Sequence, residues 1–168
     1  MYQAGDLVYY GSTGVCKIEG LGNPDPRDRS GKQFYLLKPL YQDGVIYTPV
    51  ESSERFMRPV MSEDEAHALI SLIPTLHPEA FRERTLQLLS HRYQELLQSG
   101  DCRDLLKVTM AVHQKRLLAE KQNRRLGMVD EKYGRQAERL LFGELAVALD
   151  IPVDTVPSYI AAQTEDAG

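Results

Sequence analysis

At 168 residues, with 26% charged and 42% hydrophobic side chains, the chain has the composition of an ordinary globular protein, long enough for one domain or two small ones. No apolar run approaches the roughly 18 residues of a membrane span, and Met1 to Asp6 lack the basic start and apolar stretch of a secretory signal, so a cytoplasmic protein without a membrane partner is expected. The formal charge of −4 argues against indiscriminate coating of nucleic acid, and the two cysteines, Cys16 and Cys102, form no CxxC or Cys/His cluster, which suggests neither a disulfide framework nor a zinc site.

The first 60 residues are short, β-rich and punctuated by turns. Leu7-Val8-Tyr9-Tyr10 reads as a strand, Gly11-Ser12-Thr13-Gly14 as a turn, and Val15-Cys16-Lys17-Ile18 as a second strand with alternating faces. The run from Asn23 to Gly31, with Pro24, Pro26 and a glycine, reads as a loop. Phe34-Tyr35-Leu36-Leu37 and Val45-Ile46-Tyr47-Thr48 flank Gln42-Asp43-Gly44, whose Asp-Gly pair signals a hairpin, and Pro49 ends that strand or marks a sheet edge. A short strand near Arg55-Phe56-Met57 brings the total to about five in so short a chain, best closed as a small SH3-like or Tudor-like barrel.

At Ser62 the period changes to that of helices. Ser62 and Glu65 form a capping box, with Ala66, Leu69, Ile70 and Ile73 following at helical spacing until Pro74 and Pro78 intervene. A second helix is expected from about Glu79 to Gln98, with Phe81, Leu88, Leu89, Leu96 and Leu97 among its apolar positions. Gly100 is placed as its C′ residue, and Asp101 caps a third helix carrying Leu105, Val108, Val112 and Leu117. Gly127 and Asp130 repeat that stop and start, and a fourth helix presents Tyr133, Ala137, Leu140, Leu141, Leu145 and Leu149 on one stripe. A short last helix around Asp154 to Ile160 precedes a polar tail, expected to be disordered. The fold class is therefore α+β: a small β-barrel module over 1–60, an all-helical domain over 61–161, and a tail over 162–168.

A search for catalytic chemistry finds none. Gly11-Ser12-Thr13-Gly14 leads into no helix and so lacks the free amides of a phosphate loop. His67, His77, His91 and His113 are isolated from one another, without the i, i+4 pairing of a helical metal site, and Ser90 beside His91 makes no nucleophile pair because adjacent helical side chains point apart. No enzyme, cofactor, metal or small-molecule ligand is expected. Charge distribution says more. Residues 1–60 are neutral overall and residues 140–168 carry net −5, whereas residues 107–139 carry net +5. Lys107, Lys115, Arg116, Lys121, Arg124 and Arg125 sit on or just after the third helix, with Lys132, Arg135 and Arg139 on the next, and Glu120 is the only acid between Lys107 and Arg125. Such a stretch reads as a solvated helix face or as one side of a phosphate-binding surface.

The opening Tyr2-Gln3-Ala4-Gly5-Asp6-Leu7-Val8-Tyr9-Tyr10 with Gly14-Val15 resembles the start of the CarD/CdnL family of bacterial transcription regulators. Phe34-Tyr35-Leu36-Leu37-Lys38 and Ile46-Tyr47-Thr48-Pro49-Val50 resemble the paired strands of that family, and this half is also similar to the polymerase-binding module of the transcription-repair coupling factor. Ser99-Gly100-Asp101, Ala137-Glu138-Arg139-Leu140-Leu141 and Gly143-Glu144-Leu145-Ala146 resemble its helical half, and Ile151-Pro152 with Val156 to Ile160 its extended C-terminus.

The resemblance implies a Tudor-like domain that binds the RNA polymerase β subunit and a helical domain that contacts promoter DNA at the upstream edge of the transcription bubble, stabilising the open complex. By position it implies Tyr47 as a polymerase-binding residue, with Arg27 and Arg29 as its neighbours; the charge pattern supplies Lys115, Arg116, Lys121, Arg124 and Arg125 as the DNA-binding set. Many members insert a Trp from the first part of the helical domain into the minor groove; this chain has no Trp, and Phe81 lies near the corresponding region as a substitute wedge or as plain helix core. Without a wedge, phosphate contacts remain as the main DNA contribution, and binding should be weaker and more sensitive to salt. A competing reading is an adaptor on RNA polymerase without DNA contact. An RNA-binding β module fits the electrically neutral N-terminal half poorly.

Overall fold

The structure, a computed structural model, describes residues 2–77 and 81–166. It divides into two compact units, Met1–Val60 and Met61–Gly168.

In the first unit five strands, β1 (Leu7–Tyr10), β2 (Gly14–Gly22), β3 (Phe34–Pro39), β4 (Ile46–Pro49) and β5 (Met57–Pro59), form one antiparallel sheet in the order β4-β3-β2-β1-β5. β1 and β2 pair from Leu7 opposite Lys17 to Tyr10 opposite Gly14, across a turn in which Gly11 adopts φ +39°. The register of β2 on β3 slips between Ile18 and Gly20, a bulge that bends the longest strand so that a small sheet can coil around its own core. Val8, Cys16, Ile18, Tyr35, Leu37 and Met57 make that core, with Tyr2, Tyr10, Ile46 and Val50 packed against it. Burial pushes the Cys16 thiol up to about 11, so it stays protonated and serves as packing.

Two local expectations gain detail. The hairpin expected around Asp43-Gly44 is formed, β3 pairing antiparallel with β4 from Leu37 opposite Ile46, but its connection is the six-residue loop 40–45. The last strand begins at Met57 because residues 50–55 wind into a 3-10 turn in which the Ser53 hydroxyl donates to the Val50 carbonyl. The arrangement of a Tudor-like sheet followed by helices is the α+β one expected.

The second unit contains α1 (Glu63–Leu72), α2 (Leu86–Gln98), α3 (Cys102–Lys121), α4 (Met128–Leu149) and α5 (Val156–Asp166). Ser62 caps α1 through its hydroxyl, which accepts from the Glu65 N–H, and Pro74 lies in the 3-10 turn that ends it. Pro78 and the expected helix start at Glu79 lie outside the described residues. The helix itself begins only at Leu86, because Thr85 takes the cap position and its hydroxyl accepts from the Leu88 N–H. Gly100, at φ +70°, closes α2, and Asp101 caps α3. α3 ends at Lys121, well before Gly127: Asn123, just beyond the helix, takes φ +53°, and Gly127 instead precedes α4 as its cap. Asp130 is consequently inside the first turn of α4 and not ahead of it. α5 continues through Asp166, across most of the segment expected to be a disordered tail.

The stripe Tyr133, Ala137, Leu140, Leu141 and Leu145 is buried on α4, but Leu88 on α2 and Leu117 on α3 are exposed. α3 and α4 pack most closely at Gly134, where a side chain would meet Val112 Cγ1 at 2.5 Å. Glu144, fully buried on α4, accepts the Met61 N–H at 2.9 Å and so holds the start of the unit to its central helix. Among the described residues no helix is long and apolar enough to cross a membrane.

Candidate functional site

In the first unit Tyr47 lies on an outer strand, and Arg27 and Arg29 lie on the loop between β2 and β3. β4 is an outer strand, and Tyr47 upon it is exposed while Thr48 is buried, so the pleat presents Tyr47 outward. Phe34 pairs with Pro49 and Leu36 with Tyr47, placing Tyr47 two positions from the end at which the loop between β2 and β3 rejoins the sheet. Arg27 and Arg29 are exposed on that loop. Side-chain bonds give the loop a defined shape. Asn23 accepts from the Asp25 N–H and donates to Asp28 Oδ2 at 2.9 Å, Asp25 accepts from the Arg27 N–H, and Asp28 accepts from the Ser30 N–H. The Asn23 amide and the Ser30 donors together hold the Asp28 carboxyl down at about 2.

In the second unit the basic run divides. Lys115 Nζ lies 2.9 Å from Asp130 Oδ1, with only 17% and 12% of the two side chains exposed. Arg116 sits 3.7 Å from both Glu131 and Glu138. Neither cation is the free phosphate contact expected of it, because α4 packs its acids against this part of α3. Glu131 is held below the usual carboxylate range, first by the Arg135 hydrogen bond and then by the charges of Arg135 and Arg116.

At the end of α3 and just beyond it the situation reverses. Lys121, Arg124 and Arg125 are exposed, and no described residue pairs with them. They line a cleft of about 590 Å³ on the α3–α4 turn, and Arg82, from the segment before α2, joins them. Arg82 lies outside the basic run, and nothing in the charge distribution signals it. The turn is fixed by its backbone, the Arg124 N–H donating to the Ala119 carbonyl at 2.7 Å.

Phe81 does not stand out as a wedge. It is 8% exposed, its ring meets Tyr93 edge-on at 5.3 Å, and the Arg92 guanidinium lies 4.4 Å over its outer face. Tyr93 in turn stacks on Tyr133 and donates its hydroxyl proton to Asp130 Oδ1; burial and that bond keep the phenol protonated far above its ordinary range. Phe81 therefore belongs to a packed aromatic column beneath the cleft. The arrangement offers a cationic concavity on a fixed turn, suited to polyanion backbones, and an outer strand suited to protein docking. Among the described residues no group of three or more His, Cys, Asp or Glu side chains could hold a metal.

Residues 2–61 match the family model described as CarD-like/TRCF RID domain. No curated protein matches the chain.

Proposed function

Because residues 2–61 form a domain of the CarD-like/TRCF RID family, an RNA polymerase-interacting module, we propose that the protein is a transcription regulator that docks on the polymerase β subunit and reaches promoter DNA with its helical unit. The contact lies at the upstream edge of the bubble, and its effect is to stabilise the open complex. No bond is made or broken. Tighter binding to the melted state than to the closed one shifts the equilibrium, and a coupling of about 1–3 kcal/mol changes occupancy roughly five- to 150-fold.

The observation that carries the DNA half is the cleft of Arg82, Lys121, Arg124 and Arg125, exposed cations with no ion partner among the described residues, on a chain whose overall charge is −4. Few phosphates can be neutralised by so small a set, so affinity for free DNA is low and the polymerase must supply local concentration. On the docking side, Tyr47 on the outer strand is the expected anchor, with Arg27 and Arg29 at its rim.

The test uses purified RNA polymerase and a promoter fragment. Tyr47→Ala weakens binding to polymerase about tenfold, as loss of an interface aromatic does, while Arg124→Gln with Arg125→Gln leaves polymerase binding intact and shortens open-complex lifetime. Unchanged polymerase affinity for Tyr47→Ala removes that residue from the interface. Unchanged lifetime for the arginine pair, with polymerase binding retained, establishes an adaptor that never touches DNA.

A further inference from the structure

Two groups lining the cationic cleft carry opposite charges and are already joined. Lys115 and Asp130 both face the cleft, 2.9 Å apart at Nζ and Oδ1. The Tyr93 hydroxyl, fixed between the rings of Phe81 and Tyr133, donates to the same carboxylate oxygen. Asp130 also sits in the first turn of α4, where the helix N-terminus favours a carboxylate. A side chain at Gly127 would come within 3.3 Å of the second oxygen, so the glycine at the cap leaves the carboxylate room. Helix end, tyrosine and lysine together fix one negative charge at the edge of a site that also holds four exposed cations, Arg82, Lys121, Arg124 and Arg125.

We infer that Asp130 is a specificity-determining residue that restrains anion binding by the cleft: it withholds Lys115 from nucleic-acid phosphates and repels any phosphate that approaches the turn. This rests on the nucleic-acid reading of the cleft and adds its regulation. A cleft without the Asp130 charge would be one unit more positive and would have Lys115 available as one further phosphate contact, a step toward indiscriminate DNA binding. Asp130 keeps the free protein off bulk DNA and leaves DNA contact conditional on tethering to polymerase. Lys115, the least exposed cation of the basic run, thereby serves the pair and not the ligand.

The experiment measures binding of the full chain to a random-sequence duplex by fluorescence anisotropy across a series of NaCl concentrations. Four forms are compared: wild type, Asp130→Asn, Lys115→Gln and the double variant, in which an uncharged amide pair keeps a hydrogen bond and the fold. Asp130→Asn releases Lys115; affinity rises roughly tenfold, the worth of one charge-assisted hydrogen bond, and the log–log salt slope steepens by about 0.9. Lys115→Gln leaves Asp130 unopposed and weakens binding without changing the slope. In the double variant both charges are gone, and affinity and slope return to wild-type values.

If Lys115 itself touched phosphate, Lys115→Gln and the double variant would both flatten the slope by about 0.9, and that result overturns the inference. So does wild-type affinity for Asp130→Asn. Should Asp130→Asn fail to fold, the double variant alone decides between the two outcomes. Absence of duplex binding by every form would instead remove the nucleic-acid reading itself, a different failure from binding that ignores Asp130.

Discussion

Lys115 and Arg116 differ from Arg124 and Arg125 in nothing that the local sequence displays, yet the first two are neutralised and the second two are free. On α3 the chain packs against α4, and the cations there meet Asp130, Glu131 and Glu138. Beyond Asn123 the arginines are exposed on the turn, and no described residue forms an ion pair with them. A basic run is therefore no single surface. What decides whether a cation can serve a ligand is the face of the neighbouring element, and charge counting along one helix does not register it.

The largest expected effect follows from breaking the packed half. Asp130→Ala leaves Lys115 without a counter-charge where only 17% of its side chain reaches solvent, and leaves the Tyr93 hydroxyl without its acceptor. Urea unfolding should show a loss of about 3 kcal/mol; stability equal to wild type would mean that Lys115 is as free as Arg124. Gly134→Ala tests the same contact by steric means. The added methyl meets Val112 at 2.5 Å, and α3 and α4 must move apart. A net loss of about 1 kcal/mol is expected, overpacking outweighing the gain in helix propensity.

The smallest effect belongs to the half-exposed pair. Since the folded-state pKa of Glu131 is depressed, its contribution is present above the unfolded value and lost as pH falls through the folded one. Glu131→Gln should lower the melting temperature slightly at neutral pH, with the difference from wild type vanishing in acid. A difference that persists in strong acid would separate Glu131 from the charges of Arg116 and Arg135.

Much of the framework was legible in the sequence. β1 appears at its residues because four apolar or aromatic positions precede an obligate turn, and Ser62, Gly100 and Asp101 act as caps because their side-chain or backbone chemistry is local. Errors arose where a competing local signal lay nearby. Thr85 displaced the start of α2 from the expected region, and Asn123, able to adopt a left-handed backbone, ended α3 before Gly127 could. The candidate site was read less well, since Arg82 reaches the cleft from outside the basic run and the partners of Lys115 and Arg116 lie on the next helix. One usable signal was present: Asp130 and Glu131 open the fourth helix, directly after the run they neutralise. Phe81 is buried by an aromatic stack whose other rings lie 12 and 52 residues further on, a pairing that helical periodicity does not reveal.

The left-handed Asn123 and the Arg124 N–H bound to Ala119 also bear on the thermodynamics of contact. With the Cα positions of both arginines anchored before any ligand arrives, engagement immobilises only their side-chain rotamers, about 0.5–1.5 kcal/mol for each. A floppy basic tail of the same composition would in addition surrender main-chain freedom of about 1–2 kcal/mol per residue. Rigidity at one small bend thus lets a handful of positive groups hold a polyelectrolyte that a longer, looser segment would need many more charges to grip.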